Sequence, residues 1–105
     1  MEDGVDVIVF SAVDYNANAE IIGQAAQRGI KIVVIDSDVN SSMVSCRIGT
    51  NNLQAGVKAA EAALAVGEDE LYIGIVNYDV NSANGQQREL GFRQTVEQDP
   101  RVKDI

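Results

Sequence analysis

The chain has 105 residues, enough for one compact domain that buries roughly 60 to 70% of its unfolded surface. Hydrophobic residues make up 46% and charged residues 23%, with nine glycines and a single proline, which excludes intrinsic disorder. Sixteen acidic and eight basic residues give a formal net charge of -8. That charge repels phosphate backbones, so nucleic acid is not an expected partner of this segment.

The cysteine and histidine content excludes several kinds of site. Cys46 is the only cysteine and cannot form an internal disulfide, and without histidine there are no Cys/His zinc clusters and no Ser-His or Cys-His nucleophile pairs. Cys46 lies in an apolar stretch and is interpreted as a small buried hydrophobe. No apolar run approaches the roughly 20 residues of a membrane span, and the start of the chain lacks the basic residues of a secretion signal. A cytoplasmic protein is expected unless a leader lies outside this chain.

Short apolar runs rich in β-branched residues predict the strands. Residues 5–10 (Val-Asp-Val-Ile-Val-Phe) are too brief for a helix and suit a strand buried on both faces, and residues 31–35 (Lys-Ile-Val-Val-Ile) repeat the short β-branched pattern. Residues 43–48 predict a weaker strand, residues 71–76 another, and residues 102–105 the start of one more.

Helical spacing of the apolar residues predicts three helices. They are residues 17–28 ended by Gly29, a helix from a cap at Asn51 or Asn52 to residue 66 stopped by Gly67, and residues 83–98 between Ser82 and Pro100. In the second helix, Gly56 and the alanines near it permit close packing against a neighbour. The alternation of strands and helices predicts the α/β class, with a parallel sheet flanked by helices and right-handed crossovers.

Polar residues follow the predicted strands, where open parallel sheets bind their ligands. They are Ser11 and Asp14 after the first strand, Asp36, Ser37 and Asp38 after the second, and Asn77, Asp79, Asn81, Ser82 and Asn84 after the strand at 71–76. Arg88 lies one helical turn beyond Asn84, on the same side of its helix.

Carboxylates, amides, hydroxyls and a guanidinium together suit a polyhydroxylated, sugar-like ligand, because Asp accepts from adjacent hydroxyls while Arg donates to oxygens. The alternatives stay open. Asp14, Asn51 and Ser82 are more often helix caps than ligands. Asp36 fits a plain loop residue as well as it fits a ligand, and Arg88 fits an exposed cation on a helix as well as it fits a ligand.

Sequence motifs for phosphate or dinucleotide binding are absent from the chain. Asp36 and Asp38 could hold Mg²⁺ in a phosphoryl-transfer enzyme, but no lysine and third acid stand at matching positions. No catalytic residue, metal site or cofactor is therefore predicted.

Four segments, taken together, resemble the type I periplasmic sugar-binding proteins in order and spacing. They are Gly4-Val-Asp-Val-Ile-Val-Phe-Ser-Ala-Val-Asp14, Gly29-Ile-Lys-Ile-Val-Val-Ile-Asp-Ser-Asp38, Gly49-Thr-Asn-Asn-Leu-Gln-Ala-Gly56 and Arg88-Glu-Leu-Gly-Phe92. That family includes the ribose- and galactose-binding proteins of ABC importers and the effector domains of lactose-repressor-type regulators.

The resemblance implies a protein of two α/β lobes that close on a sugar in the cleft between them. Residues 1–66 would be the second half of the N-terminal lobe, starting at a helix end with Gly4 as its stop, and residues 67–105 the first βα unit of the C-terminal lobe. The fold would then be incomplete. The ligand-binding residues carried over by the resemblance are Ser11, Asp36, Ser82, Asn84 and Arg88. Ser37 stands where ribose binders carry an arginine, which argues against ribose.

The resulting functional hypothesis is the substrate-binding component of a sugar ABC transporter: a non-enzymatic, extracytoplasmic protein with no cofactor and a permease as partner. The alternative is the sugar-sensing effector domain of a cytoplasmic lactose-repressor-type regulator. A receiver- or phosphatase-like enzyme would instead need Asp36 as a phosphate acceptor. A secretion leader before residue 1 would indicate uptake, and a helix-turn-helix would indicate regulation.

Open sheet edges are expected in so short a segment of a two-lobed protein. The segment would repack, form a homodimer by exchanging elements, or belong to a longer polypeptide. We expect it to bind sugar poorly alone, and calorimetry showing micromolar binding by this segment would contradict that expectation.

Overall fold

The computed structural model describes all 105 residues and consists of two compact units. The first comprises Met1–Thr50 and Asn81–Ala83, and the second comprises Asn51–Val80 and Asn84–Ile105. No helix in either unit has the length and hydropathy needed to cross a bilayer. The division into lobes at residue 66 concerns the intact protein and stays a prediction.

The first unit contains a three-stranded parallel sheet in the order β1-β2-β3. Its elements are β1 (Val7–Phe10), α1 (Ala19–Gln27), β2 (Lys31–Ile35) and β3 (Cys46–Ile48). Phe10 is opposite Val34, and Ile35 is opposite Ile48. The β2 strand has the predicted bounds, whereas β3 starts later than predicted because residues 41–44 form a turn, in which the Met43 amide donates to the Ser41 hydroxyl at 3.2 Å.

The core of this unit lies between α1 and one face of the sheet. Ile22 and Ala25 of α1 and Ile32 and Val34 of β2 are all buried. Helix α1 ends at Gln27, and Gly29, with φ +87°, follows as the predicted stop. The opposite face carries the exposed side chains of Val7 and Val9. The prediction that β1 is buried on both faces was therefore wrong. Strand β2 leads to β3 through a loop, with no helix between these two strands.

Cys46 differs from expectation. It is exposed, because it lies on the edge strand β3 and not in the core.

Gly4 has φ +73° and follows a single turn, in which its amide donates to the Met1 carbonyl at 3.4 Å. This geometry is consistent with a helix end that has Gly4 as its stop, and the helix itself stays a prediction for the intact protein.

The second unit pairs two short parallel strands and carries two helices. Its elements are α2 (Asn52–Leu64), β4 (Leu71–Tyr72), α3 (Ala83–Val96) and β5 (Val102–Asp104), with Leu71 opposite Val102. The β4 strand is shorter than the predicted 71–76, and its register with β5 is irregular between Leu71 and Tyr72. Strand β5 confirms the prediction for the chain end. Parallel sheets with flanking helices confirm the α/β class.

Helix α2 ends differently from the prediction. It stops at Leu64, before Gly67, which does not adopt a left-handed conformation. The guanidinium of Arg101 instead donates to the carbonyls of Leu64 at 2.7 Å and Val66 at 3.1 Å. Asp99 holds that guanidinium at 2.8 Å, and this side-chain hydrogen bond lowers the pKa of Asp99 and raises that of Arg101.

Two glycines let α2 and α3 approach each other closely. A Cβ on Gly56 would lie 2.1 Å from the Arg88 carbonyl oxygen, and a Cβ on Gly91 would lie 2.2 Å from the Leu53 carbonyl oxygen. Both distances are far shorter than any van der Waals contact, so the two backbones touch where side chains would otherwise separate them. The close packing predicted from Gly56 is therefore present, and α3 is the neighbour.

Candidate functional site

In the first unit, Ser11 directly follows β1 and Asp36 directly follows β2, so both lie at the edge of the sheet where these paired parallel strands end. The Ala12 amide donates to the Ser37 carbonyl at 3.0 Å, so the parallel pairing continues one step beyond the strands and joins the two loops. Both Ser11 and Asp36 are exposed. This edge of the sheet therefore presents both a hydroxyl and a carboxylate to solvent, as expected where parallel strands end.

The backbone of Asp36 is in the left-handed region, with φ +57°. Its amide donates to the Ile48 carbonyl at 2.9 Å, and a Cβ on Gly49 would lie 3.1 Å from the Asp36 carbonyl oxygen. Contacts with the end of β3 therefore hold Asp36 in a conformation that costs an ordinary residue about 1–2 kcal/mol. Such a cost is often found where a side chain must be aimed.

The segment 81–83 joins the same group of loops. The Tyr15 amide donates to the Asn81 carbonyl at 2.9 Å, and the Tyr15 carbonyl accepts from the Asn40 amide at 2.8 Å. Ser82, between Asn81 and the first residue of α3, is only 2% exposed. The first unit thus brings together the loops of Ser11, Asp36 and Ser82, but the burial of Ser82 favours a supporting role for its hydroxyl over contact with a ligand.

The neighbouring acids Asp14 and Asp38 maintain the loops. Asp14 Oδ1 accepts from the Asn16 amide at 2.8 Å and the Ala17 amide at 3.1 Å, forming the turn that leads into α1. Asp38 Oδ1 accepts from Arg47 Nε at 2.8 Å, and no group of three metal-ligating side chains is present in the chain. The carboxylate of Asp38 is therefore already paired with Arg47, whereas a magnesium site at Asp36 and Asp38 would need that carboxylate to bind the metal.

The second unit brings Asn84 and Arg88 together through a third residue, Asn52. Asn52 Nδ2 donates to Asn84 Oδ1 at 2.8 Å, and Asn52 Oδ1 accepts from Arg88 Nε at 2.8 Å. Asn84 is buried, at 5% exposure, whereas Arg88 is exposed. Of this pair, Arg88 is the side chain that a ligand in solvent can reach.

Asn52 was not among the predicted site residues. The sequence shows two adjacent asparagines at the start of a helix, and a helix needs only one as its cap. Asn51 is that cap, since its Oδ1 accepts from the Gln54 amide at 3.1 Å. The second asparagine was the available signal. The roles of Ser11, Asp36, Ser82, Asn84 and Arg88 as ligand contacts stay predictions.

The profile of the periplasmic binding protein domain matches residues 1–105, the whole chain. The chain belongs to the periplasmic binding protein family. The resemblance inferred from the four sequence segments is thereby confirmed. The comparison with curated proteins gave no match.

Solved structures agree with the family. The periplasmic component of an ABC-type sugar transport system from Hahella chejuensis has a TM-score of 0.92 at 24% identity, over 99% of this chain and 39% of that one. A carbohydrate transporter solute binding protein from Agrobacterium radiobacter, in complex with D-arabinose, has a TM-score of 0.85 at 27% identity, over 95% of this chain and 36% of that one.

A third structure, the fructose binding periplasmic domain of a hybrid two component system, has a TM-score of 0.92 at 23% identity, over 99% of this chain and 35% of that one. The chain therefore has the fold of type I periplasmic binding proteins and spans little more than a third of the length of these structures.

Proposed function

We propose that this chain is part of the sugar-binding component of an ABC importer, a protein that captures a sugar or a similar polar solute without chemical change. The observation that carries the proposal is the placement of Ser11 and Asp36, which are both exposed and directly follow paired parallel strands at one edge of the sheet. A carboxylate accepts hydrogen bonds from neighbouring hydroxyls of one sugar, and a serine hydroxyl both donates and accepts.

Arg88 supplies the complementary chemistry. Its guanidinium only donates, so it suits ring and hydroxyl oxygens, and with Asn52 engaging Nε its two terminal nitrogens can reach a ligand. The resemblance implies a cleft between two lobes of the intact protein, and we propose that the sugar binds in that cleft. The family consists of binding proteins, which supports capture over catalysis.

The structures with this fold include a transport component and a sensor domain, so fold alone does not choose between uptake and sensing. We favour uptake because the structure at 27% identity is a carbohydrate transporter solute binding protein. An extracytoplasmic location and a permease partner follow from that role. A secretion leader ahead of residue 1 would support uptake, whereas a helix-turn-helix there would support a lactose-repressor-type regulator in the cytoplasm.

Ser37 bears on which sugar is bound. Its side chain is small and the residue is buried, and its carbonyl holds the Ala12 amide. A bidentate arginine, which the resemblance associates with ribose, is absent from this position. We therefore propose a sugar other than ribose.

The isolated chain is proposed to bind weakly and to be capable of dimerising by exchange of elements.

A thermal-shift screen of the intact protein against sugars, followed by calorimetry on the hits, tests the proposal, since a ligand that binds only the folded state raises the melting temperature. Asp36→Asn is expected to weaken binding of the best sugar by about 1.5–3 kcal/mol, the usual worth of a hydrogen bond to a charged group. Asp14→Asn is the matched control, because an amide oxygen can still accept from the Asn16 and Ala17 amides. Unchanged affinity in Asp36→Asn, or phosphorylation of the wild type at Asp36, would contradict the proposal.

A further inference from the structure

The contact between α2 and α3 sets the geometry of Asn52. Because Gly56 and Gly91 lack side chains, the backbones of the two helices touch near Leu53 and Arg88. That contact brings the first residue of α2 within hydrogen-bond distance of two residues on α3, Asn84 and Arg88. The reach of Asn52 is thus a consequence of the glycine pair.

The chemistry of the three side chains fixes the direction of every bond. A guanidinium can only donate, so Asn52 must turn its Oδ1 toward Arg88 Nε. Its Nδ2 then faces Asn84, which must present Oδ1 to accept. The buried Asn84 therefore orients the amide of Asn52, and Asn52 in turn orients the exposed guanidinium.

We infer that Asn52 is a positioning residue for ligand recognition by Arg88, an inference that rests on the proposed sugar-binding function. A lone arginine on a helix surface samples many rotamers, and fixing them on binding costs affinity. Asn52 holds Nε in advance, so the guanidinium plane is set and its terminal nitrogens are oriented before the ligand arrives. The ligand oxygen they meet is an acceptor, such as a ring oxygen.

Calorimetry on the intact protein with the sugar found in the thermal-shift screen tests the inference. Asn52→Leu, which removes both contacts, is expected to weaken binding about tenfold, the equivalent of about 1.4 kcal/mol. Asn52→Asp keeps an acceptor for Arg88 Nε and is expected to retain affinity within about threefold. Asn51→Leu is the matched control next door: it removes the helix cap and should lower the melting temperature, with affinity unchanged.

A second measurement needs no sugar. In the intact protein without sugar, the Nε–H of Arg88 should give a resolved NMR signal that exchanges slowly with water and is lost in Asn52→Leu. Arg88→Lys assigns this signal. The inference about Asn52 would be overturned if Asn52→Leu left the sugar affinity unchanged or left the Arg88 signal in place. The proposed sugar-binding function would still stand in that case. If the signal depends on Asn52 but the wild-type intact protein binds no sugar, the proposed function fails and the inference falls with it.

Discussion

In the first unit, seven buried apolar residues form one continuous cluster between α1 and the sheet, and the loops at the sheet edge are joined by backbone hydrogen bonds. The second unit has a smaller apolar core. Its buried hydrophobic residues are Ala60, Leu71 and Val96. It depends instead on a backbone contact at Gly56 and Gly91 and on side-chain bonds made by Asn52 and Arg101.

This difference bears on the candidate site. Backbone bonds join the loops that present Ser11 and Asp36, and the side chains that brace these loops, Asp14 and Asp38, are not among the proposed ligand contacts. In the second unit, the side chain of Arg88 is itself held by another side chain. Substitutions in the second unit should therefore affect stability and ligand geometry together, whereas in the first unit the two should separate.

The largest expected effect comes from the core of the first unit. Ile32 is fully buried at the centre of the sheet, so Ile32→Ala should lower the free energy of unfolding by about 3–4 kcal/mol, through lost transfer energy and the cavity left behind. Ile48→Ala, on the edge strand at 60% exposure, should cost less than about 1 kcal/mol. Urea denaturation measures both, and equal costs would contradict a core confined to the α1 side of the sheet.

The glycine contact of the second unit should give the next largest effect. An alanine inside a helix normally stabilises it by about 1 kcal/mol relative to glycine. At Gly91 the added methyl group would meet the Leu53 carbonyl oxygen at 2.2 Å, so Gly91→Ala should instead destabilise by about 2–3 kcal/mol.

Gly23→Ala in α1 is the matched control for that substitution. Its nearest atom would be Met43 Sδ at an ordinary 3.8 Å, so this variant should be stabilising by about 0.5–1 kcal/mol. Opposite signs at two helical glycines, measured by thermal unfolding, are the expected result. A neutral Gly91→Ala would show that the α2–α3 contact can open at little cost.

Sequence reasoning succeeded where the deciding forces are local. The bounds of β2 follow from the four consecutive β-branched residues after Lys31, and the start of α2 follows from the Asn51 cap. It failed where the outcome depends on distant partners. The pairing of β4 depends on β5, about 30 residues away in the sequence, and the exposure of Val7 and Val9 is set by what covers that face of the sheet.

The candidate site divides in the same way. That Ser11 and Asp36 would lie at the same edge of the sheet could be predicted, because parallel strands end at one edge. The role of Asn52 could not, since it depends on how closely two helices approach and on the glycine that each contributes. A small residue on one helix is visible in the sequence, but the backbone it meets on the other is not.

The Arg101 clamp consists of the Arg101 guanidinium, Asp99 and the carbonyls of Leu64 and Val66. It gives a smaller, pH-dependent effect that is confined to the second unit. The hydrogen bond from Arg101 lowers the pKa of Asp99 below its ordinary 3.8, so the native state favours the charged carboxylate. The stabilisation is fully present above that ordinary value and is lost as the pH falls through the lowered one. Asp99→Asn should therefore be less stable than wild type near neutral pH and converge with it in strong acid.

Urea denaturation of both proteins from neutral pH to about pH 2 measures this convergence. Glu97→Gln is a suitable control, because it removes an exposed acid near the end of α3 and leaves the clamp intact. A stability difference between wild type and Asp99→Asn that does not change with pH would show that the charge of Asp99 is not what holds Arg101.

The smallest expected effect separates conformation from function at Asp36. Its φ of +57° suits glycine, whereas an alanine pays the full steric cost, so Asp36→Gly should be more stable than Asp36→Ala by about 1 kcal/mol. Both variants lack the carboxylate, so both should lose sugar affinity equally in the intact protein. Equal stability of the two, measured by thermal unfolding, would mean that the loop relaxes out of the left-handed conformation once the side chain is gone. Unequal affinity would mean that the backbone of Asp36, and not its carboxylate, meets the ligand.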